Sequence, residues 1–106
     1  IGTVYPIFKG AAGKIFGAYL GDFKDADMSA SESAQIRRDG YVVTRGSRVP
    51  DAASIAVPIF SFGNKLEAAM TISGPIGDYT EERVKEYLSV MMALGQTISK
   101  QMGATL

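Results

Sequence analysis

Gly40-Tyr-Val-Val-Thr-Arg-Gly-Ser-Arg-Val-Pro-Asp-Ala-Ala-Ser-Ile-Ala-Val-Pro-Ile-Phe-Ser-Phe-Gly-Asn-Lys-Leu-Glu-Ala-Ala-Met-Thr-Ile-Ser-Gly-Pro75 is the stretch on which the fold turns. Short runs rich in β-branched residues alternate with Gly, Pro, Asn and Asp, the pattern of strands separated by turns. It predicts three strands: Tyr41 to Arg45, Ser54 to Phe60 and Leu66 to Ser73. Ser61 to Lys65 would join the last two as a hairpin loop, because Gly63 and Asn64 accept the positive φ of a tight turn.

Side chains alternate between the faces of a strand. In the third strand this places Leu66, Ala68, Met70 and Ile72 on one face, to pack under helices. Glu67, Ala69, Thr71 and Ser73 take the other, and Ser54 and Ala56 give the second strand a matching face. A small, hydroxylated face either meets water or leaves room for a ligand to lie against the sheet.

Working outward, Thr80 to Met102 carries the strongest helical pattern. Thr80 suits the N-cap, and Glu81 and Glu82 suit the positive end of the helix dipole. Val84, Tyr87, Leu88, Met91, Leu94, Ile98 and Met102 recur at helical spacing, with Gly103 as the stop. Upstream, Glu32 to Asp39 reads as a short helix capped by Ser29 or Ser31 and ended by Gly40. Arg37 and Arg38 stand near its C-terminus, where the dipole favours cations. Arg45, Arg48 and Asp51 either pair on the surface or present an arginine to an acidic ligand. The polar segment from Gly21 to Ser31 reads as a solvated connection.

Gly10 to Leu20 predicts another helix, with Ile15, Ala18 and Tyr19 at helical spacing and Gly13 and Gly17 leaving room for a close neighbour. Its Gly-Ala-Ala-Gly-Lys string is not a nucleotide-binding loop: Phe8 holds the first glycine position and Ile15 follows the lysine. The first-turn N–H groups, unobstructed beside Ala11 and Ala12, suit a small anion or carboxylate. Ile1 to Phe8, apolar with Pro6 inside it, reads as the end of a strand in a larger protein.

Composition narrows the chemistry. The chain has 106 residues, which predicts a single domain over 1–106, and 46% are hydrophobic. Neither Cys nor His occurs, which excludes thiolate nucleophiles, disulfides, imidazole acid–base catalysis and ordinary zinc sites. No carboxylate cluster has the spacing of a Mg²⁺ or Ca²⁺ site, so neither metal nor cofactor is expected. The formal net charge is zero, unlike a surface that grips phosphates. No apolar run spans a membrane, and a disulfide-free chain fits the cytoplasm. A serine or threonine nucleophile at Ser54, Thr71 or Ser73 would need a base, and Lys14 is the sole candidate nearby.

Several of these elements together resemble the isocitrate lyase regulator (IclR) family of bacterial transcription regulators. They are Arg37-Arg38-Asp39-Gly40-Tyr41, Ile55-Ala56-Val57-Pro58-Ile59-Phe60, and Ala68-Ala69 leading to Ile72-Ser73-Gly74-Pro75. The closing helix ending in Met102-Gly103, and Pro6 followed by Ala11-Ala12-Gly13-Lys14 and Ala18-Tyr19-Leu20, complete the likeness. The resemblance implies an α+β effector-binding domain: an antiparallel sheet flanked by helices, similar to GAF and PAS sensors (profilin-like). It implies a ligand-sensing and oligomerising role without enzymatic activity, in a homodimer or homotetramer. The effector would be a small organic acid, and operator DNA would be contacted only through a separate winged helix domain. The first strands of the sheet would also be absent from this chain. Family pocket positions fall on Tyr5, Ala11, Ala12, Thr44, Ala52, Ser54, Thr71 and Ser73. Two features depart from the family: a much shorter connection between Leu20 and Glu32, and Thr44 at an often acidic position. The competing classes are a small serine-dependent hydrolase or transferase and a ligand-free oligomerisation domain.

Overall fold

A computed structural model describes residues 10–21, 28–46 and 50–105. Three helices and three strands follow in the order α1 (Gly10–Leu20), α2 (Ala30–Asp39), β1 (Val42–Arg45), β2 (Ala52–Ser61), β3 (Lys65–Pro75) and α3 (Glu81–Gln101). The strands form one antiparallel sheet in the order β1-β2-β3. The α+β architecture expected from the sequence is the one observed. The expected strand near Ile1 to Phe8, and the middle of the connection before α2, lie outside the described residues.

Local chemistry accounts for the helix ends. Thr80 Oγ1 accepts from the Arg83 N–H, opening α3. Ser29, rather than Ser31, caps α2 by accepting from the Glu32 N–H, so the helix starts at Ala30, two residues before the sequence suggests. Gly40 closes it with φ +78° and donates its N–H to the Ile36 carbonyl at 2.8 Å. At the β2–β3 hairpin, Gly63 (φ +78°) and Asn64 (φ +56°) take the left-handed conformations expected of them.

Each face of the sheet carries helices. On one, Ala11, Ile15 and Ala18 of α1 join Ile36 of α2 and Val42 and Ala56 of the sheet in a buried cluster. On the other, Ala53, Ile55 and Val57 of β2 pack with Tyr79, Val84 and Met91. Ile15 and Ile55, both fully buried, contribute roughly 1.5–3 kcal/mol apiece through removal from water. Two polar links fix α1 against α2. Lys14 Nζ lies 2.7 Å from Glu32 Oε2, and Arg37 Nη1 donates to the Ala18 carbonyl at 3.0 Å, satisfying a C-terminal acceptor of α1.

Two sequence expectations require correction. Leu66 does not share a face with Ala68, Met70 and Ile72. Ile59 pairs with Ala68 but Phe60 pairs with Leu66, leaving Glu67 as the extra residue of a β-bulge. The bulge reverses the alternation, so Leu66 packs with Ala69 on the α1 side while Met70 and Ile72 pack beneath α3.

The buried stripe of α3 also differs. Leu94 and Met102 are 47% and 42% exposed, and the residues turned inward are Val84, Met91, Gly95 and Ser99. The helix approaches β2 closely at Gly95: a Cβ there would stand 3.3 Å from Val57 Cγ2, so that Val57 would have to give way. Ser99 Oγ meanwhile accepts from the Phe60 N–H at 2.9 Å, supplying a partner where none of the described strands does.

Candidate functional site

Register turns the hydroxylated face into a defined array. Thr44 pairs with Ser54 and Ser54 with Ser73, so three hydroxyl side chains form one row across the sheet. Thr71 stands opposite Ala56 in the next row, and Ala52 opposite Pro75 on the other side. Successive rows on one face are separated by about 6.8 Å, twice the antiparallel rise. The Ser54 and Ser73 hydroxyls are 2.8 Å apart, so one donates to the other and each keeps capacity for a further partner.

Depth varies along the row. Thr44 is buried, Ser54 and Ala52 are half-buried, and Ser73 and Thr71 are exposed. The array therefore runs from the protein interior at β1 to solvent at β3. The start of α1 lies over the same face: Ala11 is buried in the cluster that contains Val42 and Ala56, and Ala12 is half-buried beside it. Thus Ala11, Ala12, Thr44, Ala52, Ser54, Thr71 and Ser73 belong to one side of the sheet, that of α1. Tyr5 lies outside the described residues.

Cations that the sequence left free prove to be engaged. Arg45 follows Thr44 and so points to the opposite face, where Nη2 donates to the Tyr79 carbonyl at 3.0 Å. Neither sequence reading of Arg45 holds, since it meets neither Asp51 nor the hydroxyl face. The Asp51 carbonyl instead accepts from the Ile76 N–H. Arg48 lies outside the described residues. Lys14 is held by Glu32, so the one basic group proposed to activate a serine is directed at α2. Among the described residues, no group of His, Cys, Asp or Glu is arranged to hold a metal.

Two phenols are perturbed. Burial raises the Tyr19 pKa, with the Arg37 charge acting in the opposite direction. Burial also raises that of Tyr79, reinforced by Tyr87 and Asp78. Neither belongs to the hydroxyl array. Sequence reasoning missed a separate feature at the edge of β2 beyond the end of its pairing with β1, where Tyr19, Phe60, Met92 and Gln96 border a groove. The four-residue interval between Gly95 and Ser99 was its only sequence trace.

The chain thus presents an antiparallel sheet covered by α1 and α2 on one face and by α3 on the other. The family described as "Bacterial transcriptional regulator IclR C-terminal" matches residues 23–100, and the chain belongs to that family. It is similar to the HTH-type transcriptional regulator KdgR of Escherichia coli (strain K12), with 33% identity over 69 residues, 65% of this chain and 26% of that protein. The crystal structure of the C-terminal domain of E. coli KdgR superposes with a TM-score of 0.78 at 26% identity, covering 98% of this chain and 75% of that one. A regulator assigned to the IclR family from Rhodococcus sp. gives a TM-score of 0.84 at 26% identity, over 96% of this chain and 45% of that one. The chain thus spans about a quarter of one such regulator and under half of another. Among the described residues, no helix is long and apolar enough to cross a membrane.

Proposed function

We propose that the chain is an effector-binding domain whose ligand rests on the Thr44–Ser54–Ser73 row beneath the first turn of α1. The observation that carries this reading is the register itself. It assembles three hydroxyls from three strands into a row that opens towards solvent at Ser73. A compact organic acid fits best: its hydroxyl or carbonyl oxygens meet Ser54, Ser73 and Thr71, and its carboxylate meets the N–H groups at Ala11 and Ala12. Ala52 and Ala12 leave space for it.

Binding acts by shifting an equilibrium. A ligand that prefers one arrangement of a homodimer or homotetramer changes how two winged helix domains, outside this chain, span an operator. No catalysis is proposed, because among the described residues the hydroxyl array has no base and Lys14 is committed to Glu32.

Thermal unfolding of the full-length protein with a panel of small organic acids tests the reading. A ligand at a hundred times its Kd stabilises the folded state by about 2.7 kcal/mol, enough to move the midpoint measurably. At least one acid should raise the midpoint in wild type and fail to do so in Ala12→Leu. A panel without any such shift counts against an acid-binding domain.

A further inference from the structure

β1 pairs with β2 only as far as the Val42–Ala56 match, so among the described residues the stretch of β2 from Val57 to Ser61 has no strand on that side. The space is a groove of about 180 Å³ at the sheet edge, where the end of α1 and the middle of α3 come together. Tyr19 and Phe60 form one wall, their rings edge to face with centroids 5.3 Å apart. Met92, Val57 and Pro58 supply the rest of the apolar lining, and Gln96 contributes an amide.

What occupies this groove follows from what its edge lacks. An added β-strand needs free backbone donors, and none remain here. Pro58 has no N–H, the Phe60 N–H donates to Ser99 Oγ, and the Phe62 N–H donates to the Met102 carbonyl. A charged ligand is equally unsuited, because among the described residues no ionised side chain lines the groove. The volume exceeds the roughly 150 Å³ of a cavity that accommodates benzene. We infer that the groove is a second ligand site, separate from the hydroxyl array, which takes an uncharged, ring-sized molecule between Tyr19, Phe60 and Met92, oriented by the Gln96 amide. Such a ligand bridges α1 and α3, which lie on opposite faces of the sheet, so it bears on how the two layers sit together.

The test uses 5-fluoroindole as an uncharged probe and fluorobenzoate as its charged counterpart, with fluorine NMR of the probes and carbon–proton NMR of the full-length protein labelled at its methionine methyls. Saturable binding of 5-fluoroindole should move the Met92 methyl resonance and leave that of Met28 in place, while fluorobenzoate leaves that of Met92 unmoved. Filling the groove in Met92→Trp, or removing the aromatic wall in Tyr19→Leu, should weaken 5-fluoroindole at least tenfold, with Ser73→Ala unchanged. Tyr19→Leu guards against a Met92→Trp protein that does not fold. No saturable binding by wild type, equal affinity in a folded groove variant, or loss of binding in Ser73→Ala would each overturn the assignment. Because Ser73→Ala reports on the hydroxyl array and Tyr19→Leu on the groove, either site can fail without the other.

Discussion

Ser54 on β2 and Ser73 on β3 face each other across the sheet with their hydroxyl oxygens 2.8 Å apart. The contact lies at the solvent end of the row, where water replaces either partner at little cost. Ser54→Ala, Ser73→Ala and the double variant should each stay within roughly 1.5 kcal/mol of wild type in urea unfolding, the range of a single net hydrogen bond. A larger loss would make the pair a structural clasp rather than a recognition surface.

Gly95 and Ser99 set how closely α3 approaches β2. In Gly95→Val the new side chain meets Val57 and the Pro58 carbonyl, and overpacking of this kind costs about 1–3 kcal/mol. Ser99→Ala leaves the Phe60 N–H without its partner, also costing about 1–3 kcal/mol. Chemical denaturation midpoints measure both. Leu94→Ala, on the exposed side of the same helix, should be much milder than Gly95→Val.

Alkaline stability follows from the tyrosines. Burial holds Tyr19 and Tyr79 above the ordinary 10.0, so the unfolded chain releases these protons first. The folded state then binds more protons, and stability falls as pH rises from about 10 through the folded-state values. Unfolding free energies measured at pH 9 to 11 should show this decline, and Tyr79→Phe should flatten it. An unchanged slope in Tyr79→Phe would remove that phenol from the account.

Operator recognition should be absent from this chain alone. Its formal net charge is zero, and Arg37 and Arg45 are bonded to backbone carbonyls. Fluorescence anisotropy at physiological salt should detect operator-specific binding by the full-length protein and none by residues 1–106. Specific retention by the chain alone would relocate the DNA-contacting surface.

The sequence disclosed the elements better than their phases. α1 begins and ends where Gly10 and Leu20 predict, and the Thr80 and Gly40 caps lie where side-chain chemistry places them. Thr71 and Ser73 could be assigned to one face because alternation is unbroken from Ala68 to Pro75, and Ser54 offered a matching face, whereas Thr44 entered through the family resemblance and joins the row through its register with Ser54. Alternation fails at Glu67, since a one-residue bulge depends on pairing with a distant strand and leaves no mark on local pattern. Leu94 was placed inside because it is large and apolar at helical spacing, whereas Gly95 and Ser99 face the sheet because they are small. Which of these prevails is decided by the distance between α3 and β2, a tertiary quantity. Arg45 illustrates the same limit: its acceptor, the Tyr79 carbonyl, is 34 positions away.

The central claim is that the Thr44–Ser54–Ser73 row and the first turn of α1 hold one small acid between them. Calorimetric titration of pyruvate, succinate and benzoate into the full-length wild-type protein, Ser73→Ala and Ala12→Leu tests it most directly. One hydrogen bond contributes about 0.5–1.5 kcal/mol, or about 1.5–3 to a charged group, which corresponds to roughly three- to a hundredfold in affinity. The account predicts that at least one acid binds wild type, is weakened by that factor in Ser73→Ala, and is lost in Ala12→Leu because leucine blocks the carboxylate position. Equal binding of every acid to all three proteins, or binding confined to uncharged aromatics, would contradict it.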